Sequence, residues 1–480
     1  MVIKRVENTK FIFLLFALIF IQSCSSNEIL KGRVKSEGTP LGAVVVTDGQ
    51  NVTITDSKGR FTLKVSSDSR FVYISTPSGY LPADSLGVPH FYQKIDLSSK
   101  RRYDFDLIKN PKDDSNHVVL VHSDPQFFEE IQFEKYKTII DDCIETIAQH
   151  PNADVFGIDC GDLVADRPHF YPKYIDILNK TNIPFYRALG NHDLINGGRS
   201  KEQSSVDFED CFGPSNYSFN RGAAHYVVLN NVFYVGRPFA YIGYIDEKTF
   251  DWLEKDLSFV PDGSLVFIVM HIPARLTEKQ MPFSYNQSTL RQQTVNVEHL
   301  FKILEPYNVH IFSGHEHYNK NILHSPTIYE HNTAAISGSF WQGSYCWDGT
   351  PMGYGVYEIN GDDIKWYFKS AGKRKEHQMR IYPAGSLQDF PDDIIANVWN
   401  WDKNWKVEWS EDGEVKGEMS QFSGFDPGTK EMCDNIDDEQ FSWLSPIKTD
   451  HLFRATPFNK SAKIKVIVTD RFGNKYAEAL

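Results

Sequence analysis

The chain has 480 residues, 41 % of them hydrophobic and 24 % charged, and a formal net charge of −13. That length suggests two to four domains, and the composition is that of ordinary globular protein. The acidic balance argues against a polymeric nucleic acid as partner, because a phosphate backbone needs basic patches. It leaves room for a small phosphorylated substrate held by metal ions.

The N-terminus carries Lys4, Arg5 and Lys10, then the 11 apolar residues FIFLLFALIFI. This run is too short to span a bilayer and has the length of a signal-peptide core. The segment IQSC that follows resembles a bacterial lipobox, which implies acylation of Cys24. Residues 1–24 are therefore read as a lipoprotein signal peptide, and the protein as exported, outer-membrane or periplasm-facing, and held by a lipid anchor. The other five cysteines, Cys143, Cys160, Cys211, Cys346 and Cys433, are odd in number and widely spaced. They predict buried thiols and no disulfide framework.

Residues 27–109 read as all-β. VTITDSKGRFTLKV alternates on both sides of DSKG and predicts a hairpin. The segment resembles the small carboxypeptidase-regulatory β-sandwich, and KNPKDDSN after it is a polar linker. Over 115–371, short apolar runs (HVVLVHS, DVFGIDC, PFYRAL, SLVFIVM, VHIFS) alternate with helical stretches near 129–149 and 170–180 and at VEHLFKILEP. That alternation predicts α/β layering. From 372 to 480 the chain is β-rich again, with strand–turn–strand units at KVEWSEDGEVKGEMS and AKIKVIVTDRFGNKYAEA. A C-terminal β-sandwich-like domain is expected there.

Ligand-type residues follow each apolar run of the central segment. They are Asp124-Pro125-Gln126, Gly161-Asp162 with Asp166 beyond, Gly190-Asn191-His192-Asp193, His271, and Gly314-His315-Glu316-His317. In open α/β sheets the functional site lies at the carboxyl ends of the strands. A His-x-His pair on an extended segment would point both imidazoles to one side. Each group alone is an ordinary turn, cap or loop; their recurrence at every strand end points to a metal centre.

The series resembles the calcineurin-like metallophosphoesterase superfamily, whose pattern is D-x-H, G-D-x-x-D, G-N-H-D/E, a lone H, then G-H-x-H. The flanking β-modules resemble those of its exported lipoprotein subgroup. The resemblance implies an αββα sandwich core between N- and C-terminal β-sandwich-like domains. It also implies two divalent metal ions about 3.5–4 Å apart and attack by a hydroxide shared between them. By the same resemblance Asp124, Gln126, Asp162 and His317 form one metal site. Asp162, Asn191, His271 and His315 form the other. His192 stabilises developing charge and protonates the leaving oxygen, with Asp193 fixing its orientation. Gln126 stands where many members carry histidine; its amide oxygen favours manganese, iron or magnesium over zinc. Asp166 comes one step late for G-D-x-x-D and is left out of the metal set.

Two arginines near the motifs, Arg199 and Arg275, are candidates for holding a phosphate oxygen. The aromatic- and glycine-rich segment 337–354 is either a stacking wall for a sugar or base or inter-sheet packing. The expected activity is hydrolysis of phosphate mono- or diesters of a nucleotide, glycan or lipid headgroup. Two other readings stand beside it. One is a non-catalytic surface binding lipoprotein with a vestigial metal site; the other is a nucleotidase with a C-terminal nucleotide-binding domain.

Overall fold

The computed structural model describes residues 28–100, 102–279, 282–436 and 439–480. The apolar N-terminal run and Cys24 lie outside the described residues. Among those described, no helix is long and apolar enough to cross a membrane.

The central segment forms two sheets packed face to face. The first runs in the order Phe185–Arg187, Asp154–Asp159, Asn116–His122, Gly353–Asn360, Asp363–Ser370, with the first three strands parallel. The second runs Tyr217–Arg221, Ala224–Val228, Leu265–Val269, Asn308–Ser313, Ile328–Asn332, Lys320–Ser325, with the middle four parallel. The run VVLV within Asn116–His122 explains the layering. Val119 and Val121 point into the inter-sheet core with Phe156, Ile158, Tyr226, Phe267 and Phe312. Val118 and Leu120 point the other way, against Phe133, Tyr136 and Ile140 of the helix Gln132–Ala148. A strand covered on both faces has no polar side, so it reads as a continuous apolar run. The helices Glu247–Leu257 and Val297–Leu304 cover the far face of the second sheet through Trp252, Leu253, Leu300 and Leu304. The result is the αββα sandwich the resemblance implied.

Two β-modules flank this core. Residues 28–109 form two facing sheets around Leu30, Val46, Phe61, Leu63 and Ile74. The DSKG turn is present: Gly59 N–H donates to the Asp56 carbonyl at 2.8 Å, and the Asp56 carboxylate accepts from Lys58 and Arg60 N–H at 2.9 Å. The predicted hairpin is nevertheless absent. Val52–Ile54 pairs with Val45–Thr47 in one sheet, while Arg60–Val65 pairs with Glu28–Ser36 in the other. The chain crosses the sandwich at the turn, and alternation is the same whichever strand lies alongside. The module docks on the core's edge strand, where Asn220 N–H donates to the Thr76 carbonyl at 2.9 Å and Phe91 lies 4.6 Å from the Tyr217 ring.

The C-terminal module is a pair of four-stranded antiparallel sheets around Trp405, Trp409, Val466 and Val468. Both predicted strand–turn–strand units form, as Lys406–Glu411 with Glu414–Glu418 and Ile464–Thr469 with Lys475–Ala479. The five cysteines among the described residues are free, with Cys143, Cys160 and Cys346 buried.

Phe267 is fully buried and stacks on Tyr226 at 4.5 Å and Phe312 at 5.3 Å. Phe267→Ala is expected to lower stability by about 3–5 kcal/mol through lost burial and the cavity left behind. Denaturant unfolding followed by tryptophan fluorescence measures it.

Candidate metal centre

Five strand ends deliver the site, and the backbone there departs from strand geometry. Asp124, Gln126, Asp162, His315 and His317 all adopt left-handed φ, between 43° and 72°. Such a φ costs an L-residue about 1–2 kcal/mol, so this clustering marks a place where side-chain direction outweighs local comfort. His315 and His317 therefore share a side because of a coiled loop, not because of the extended segment that spacing suggested. Glycines let the loops approach. A Cβ on Gly190 would lie 2.1 Å from Asp162 N, and one on Gly314 would lie 1.9 Å from Ser123 Oγ.

The predicted ligands converge. His271 Nδ1 donates to the Cys160 carbonyl at 2.8 Å, which aims Nε2 inward. Around that Nε2 stand Asn191 Oδ1 at 3.1 Å, His315 Nδ1 at 3.2 Å and Asp162 Oδ2 at 3.3 Å. On the other side, His317 Nδ1 donates to the Gly338 carbonyl at 3.0 Å, leaving Nε2 3.4 Å from Asp124 Oδ1. The Gln126 amide donates to Asp162 Oδ2 at 2.8 Å. Gln126 Oε1 and Asp124 Oδ1 are buried and have no hydrogen-bond partner. Ligand atoms about 2.1 Å from a divalent ion sit about 3 Å from one another at octahedral angles. The spacing here is of that kind, and two orphaned oxygens are acceptors a cation would satisfy. The residues present fit a pair of metal ions.

Electrostatics point the same way. Burial opposes the Asp124 and Asp162 carboxylates, yet His317 holds Asp124 below its usual range, and His271 with His192 does the same for Asp162. Burial likewise opposes a charge on His271, but Asp162 outweighs it and raises the imidazole to about 9. Metal-free, the site draws a proton where a cation would sit.

The orientation of His192 differs from expectation. Its Nδ1 lies 2.7 Å from Asp166 Oδ2, and Asn196 Nδ2 donates to Asp166 Oδ1 at 2.6 Å. Asp166, not Asp193, aims this ring. The extra residue in GDLVAD carries Asp166 past the metal ligands to His192. Asp193 is turned inward, accepting from Gly190 N–H at 2.9 Å, Leu163 N–H at 3.1 Å and the Tyr171 hydroxyl at 3.0 Å. It ties the loops that carry Asp162 and Asn191 to each other.

Neither candidate arginine faces the site. Arg275 pairs with Glu298 at 2.9 Å and lies over the Phe301 ring, packing onto the helix Val297–Leu304. Arg199 is exposed on a loop outside the cavity. The cavity over the ligands, of about 370 Å³, instead receives Arg291, its one Lys or Arg among the described residues. The guanidinium lies 4.3 Å over the Tyr241 ring, and its Nε is buried without a partner. Arg291 stands in the polar stretch QSTLRQQ, which carries no motif that could have marked it. Phe340 and Trp347 of the 337–354 segment also line the cavity, as does Trp443 of the C-terminal module; Trp341 is packed in the core.

Layered sheets gather this donor set at their strand ends, an arrangement able to hold metal ions. The chain belongs to the calcineurin-like phosphoesterase family: models of the calcineurin-like phosphoesterase, its N-terminal and its C-terminal parts match residues 117–319, 28–110 and 330–476. It is accordingly a metal-dependent phosphoric ester hydrolase. The C-terminal match begins inside the core strand Ile328–Asn332, so it takes in part of the first and second core sheets. No curated protein matches the sequence. Among solved structures, a dimetal phosphatase from Danio rerio is similar at 12 % identity and TM-score 0.38, over 54 % of this chain and 97 % of its own. A purple acid phosphatase from yellow lupin (Lupinus luteus) is similar at 12 % and 0.40, over 69 % and 68 %. A 5'-nucleotidase from Candida albicans is similar at 14 % and 0.33, over 54 % and 52 %.

Asp166→Asn is expected to lower kcat by about 10–100-fold with full metal content, because it loosens the ring of His192 alone. Asp193→Asn should instead reduce metal content, since it unties two ligand loops. Metal analysis beside steady-state kinetics separates the two.

Proposed function

We propose that the protein hydrolyses phosphate mono- or diesters of small molecules with two metal ions, outside the cytoplasm, on a lipid tether at Cys24. The observation that carries the reaction is the convergence of Asn191, Asp162 and His315 on His271 Nε2 at 3.1–3.3 Å, beside the unpartnered Asp124 Oδ1 and Gln126 Oε1. Asp124, Gln126, Asp162 and His317 would hold one ion; Asp162, Asn191, His271 and His315 would hold the other. Asp162 has two oxygens to share between them. Bound, the ions would polarise the phosphoryl oxygens and acidify a water.

The chain's own groups supply the rest. Arg291 is the fixed cation able to hold a phosphoryl oxygen. His192 lines the cavity, and with Nδ1 held by Asp166 it exchanges its proton through Nε2. In the reaction the phosphorus–leaving-oxygen bond would break as a phosphorus–water-oxygen bond forms; protonated His192 would pass its Nε2 proton to the leaving oxygen, and the proton given up by the water would leave to solvent, from which His192 regains one. One imidazole rather than two on the Gln126 side favours manganese, iron or magnesium. The cavity suits a nucleotide, glycan phosphate or lipid headgroup rather than a polymer, and the net charge of −13 disfavours nucleic acid. Support for export is the apolar run and IQSC of the N-terminus.

The test uses residues 25–480, stripped of metal and reloaded with manganese, iron, magnesium or zinc, against p-nitrophenyl phosphate and its bis ester. Turnover is expected only with metal, strongest with one of the first three, and lost in Asp162→Asn and His192→Ala. Metal at 100 times its Kd should raise stability by about 2.7 kcal/mol. A chain that neither binds metal nor turns over would leave the binding-lipoprotein reading.

In cells, mass spectrometry should find an acyl group on Cys24, and Cys24→Ser should move the protein out of the membrane fraction. Membrane retention of Cys24→Ser without acylation would overturn the anchor.

A further inference from the structure

Three aromatic side chains stand together at the cavity mouth, and two parts of the chain supply them. Phe340 lies 4.7 Å from the ring of the metal-ligand candidate His317 and nearly parallel to it; Trp347 lies 5.3 Å from the same ring at 23°. Trp443, from the C-terminal module, stands upright against both, 5.2 Å from Phe340 at 76° and 6.4 Å from Trp347 at 88°. Trp443 is 54 % exposed, although a large aromatic gains most by burial.

The backbone is strained to make this ledge. Phe340 and Trp341 both have positive φ, 53° and 65°. A bulky residue in that region is a true outlier. The turn sends the two neighbours opposite ways. Trp341 goes into the core, where Nε1 donates to the Pro125 carbonyl at 2.8 Å and the ring stacks on Phe127. Phe340 goes out over the site. Packing alone would be served by burying both.

Trp347 adds direction. Its carbonyl accepts from Ile447 N–H at 3.0 Å, so the C-terminal module holds it in place. Its Nε1 is buried without a hydrogen-bond partner. The indole therefore lines the cavity through its ring and not through its N–H.

We propose that this ledge, resting on the phosphoesterase reading above, binds the leaving group. That group carries a ring with a flat face, as a nucleobase or a pyranose does. The phosphoryl group sits over the ligands beside Arg291. The ring lies on Phe340 and Trp347 with Trp443 at its rim. Aromatic side chains hold such rings by stacking in a sequence-tolerant way.

The experiment compares kcat/KM of the metal-loaded chain for a nucleoside 5'-monophosphate, a hexose phosphate, phenyl phosphate and glycerol phosphate. At least one of the first two is expected to exceed glycerol phosphate by about tenfold or more, with phenyl phosphate between them. Trp443→Ala and Phe340→Ala should cut that ratio about tenfold. Phe458→Ala, an exposed aromatic of the same module outside the cavity, should leave it unchanged. A ratio near one, or a ratio that Trp443→Ala and Phe340→Ala leave intact, overturns the proposal.

Calorimetry with the leaving alcohols alone (a nucleoside, a methyl hexoside, glycerol) reads the same subsite without turnover. A ring alcohol should bind and weaken about tenfold in Trp443→Ala, and which one binds says whether the ring is a base or a sugar. Ring binding without hydrolysis of any ester would sink the phosphoesterase reading and keep the ledge. Hydrolysis without ring preference, and no ring binding, would do the reverse.

Discussion

The structure turns on the burial of two carboxylates. Asp124 and Asp162 have 0 % and 1 % of their surface exposed. An isolated carboxylate moved from water to the interior loses several kcal/mol even after relaxation. Histidine protons offset part of that, as the raised pKa of His271 shows. A divalent cation offsets more and leaves the imidazoles neutral to act as ligands. The backbone is arranged to hold that charge. Five candidate ligands sit in left-handed conformations, Gly190 and Gly314 let loops touch where a Cβ would collide, and Asp193 binds two loops through their N–H groups. A cation held among these donors would offset what the buried charge and the strained backbone cost.

The layers explain why the charge sits where it does. Parallel strands buried on both faces leave only their ends for polar residues. Asn116–His122, Asp154–Asp159 and Phe185–Arg187 end side by side on the first sheet, and Leu265–Val269 and Asn308–Ser313 on the second. Ligands from both sheets therefore meet across the top of the sandwich: Asp124, Asp162 and Asn191 from one, His271, His315 and His317 from the other. Movement of one sheet on the other would pull the two sets apart. Rings of the first sheet packed on rings of the second resist that movement: Tyr186 on Phe219 at 3.8 Å, Phe156 on Tyr226 at 5.3 Å and Tyr357 on Phe312 at 4.5 Å.

How much of this could be read from the chain depends on which force set each feature. Layering was legible because apolar runs and their lengths are set by burial, and burial has a period. The gathering of donor side chains was legible because each follows a strand that ends at the same edge of its sheet. Direction was not. The DSKG strands alternate as a hairpin would, but which sheet each joins is decided by the whole sandwich. Asp166 and Asp193 are both carboxylates near His192, and one inserted residue in GDLVAD decides which of them meets its ring. Arg275 follows a ligand in sequence, yet a carboxylate at Glu298 and the Phe301 ring draw it away. Arg291 and Trp443 reach the site from segments without any motif, so only tertiary packing brings them there.

The C-terminal module is better understood as part of the site than as a spacer beside it. His451 Nε2 lies 3.0 Å from Asp348 Oδ2, and the same oxygen accepts from Asn319 N–H at 2.9 Å, two residues beyond His317. His451 Nδ1 is in turn 2.7 Å from Asn397 Oδ1, and the Asn319 amide donates to the Trp399 carbonyl at 2.8 Å. These groups are buried, so each lost partner would leave a polar atom unsatisfied. The module thus grips the loop that carries His315 and His317 from behind while presenting Trp443 in front. A shift of the module would move the aromatic rim and strain the ligand loop at once. Substrate contact and metal geometry are joined through one buried chain of hydrogen bonds, and a ring that settles against Trp443 would press on the element that holds His317.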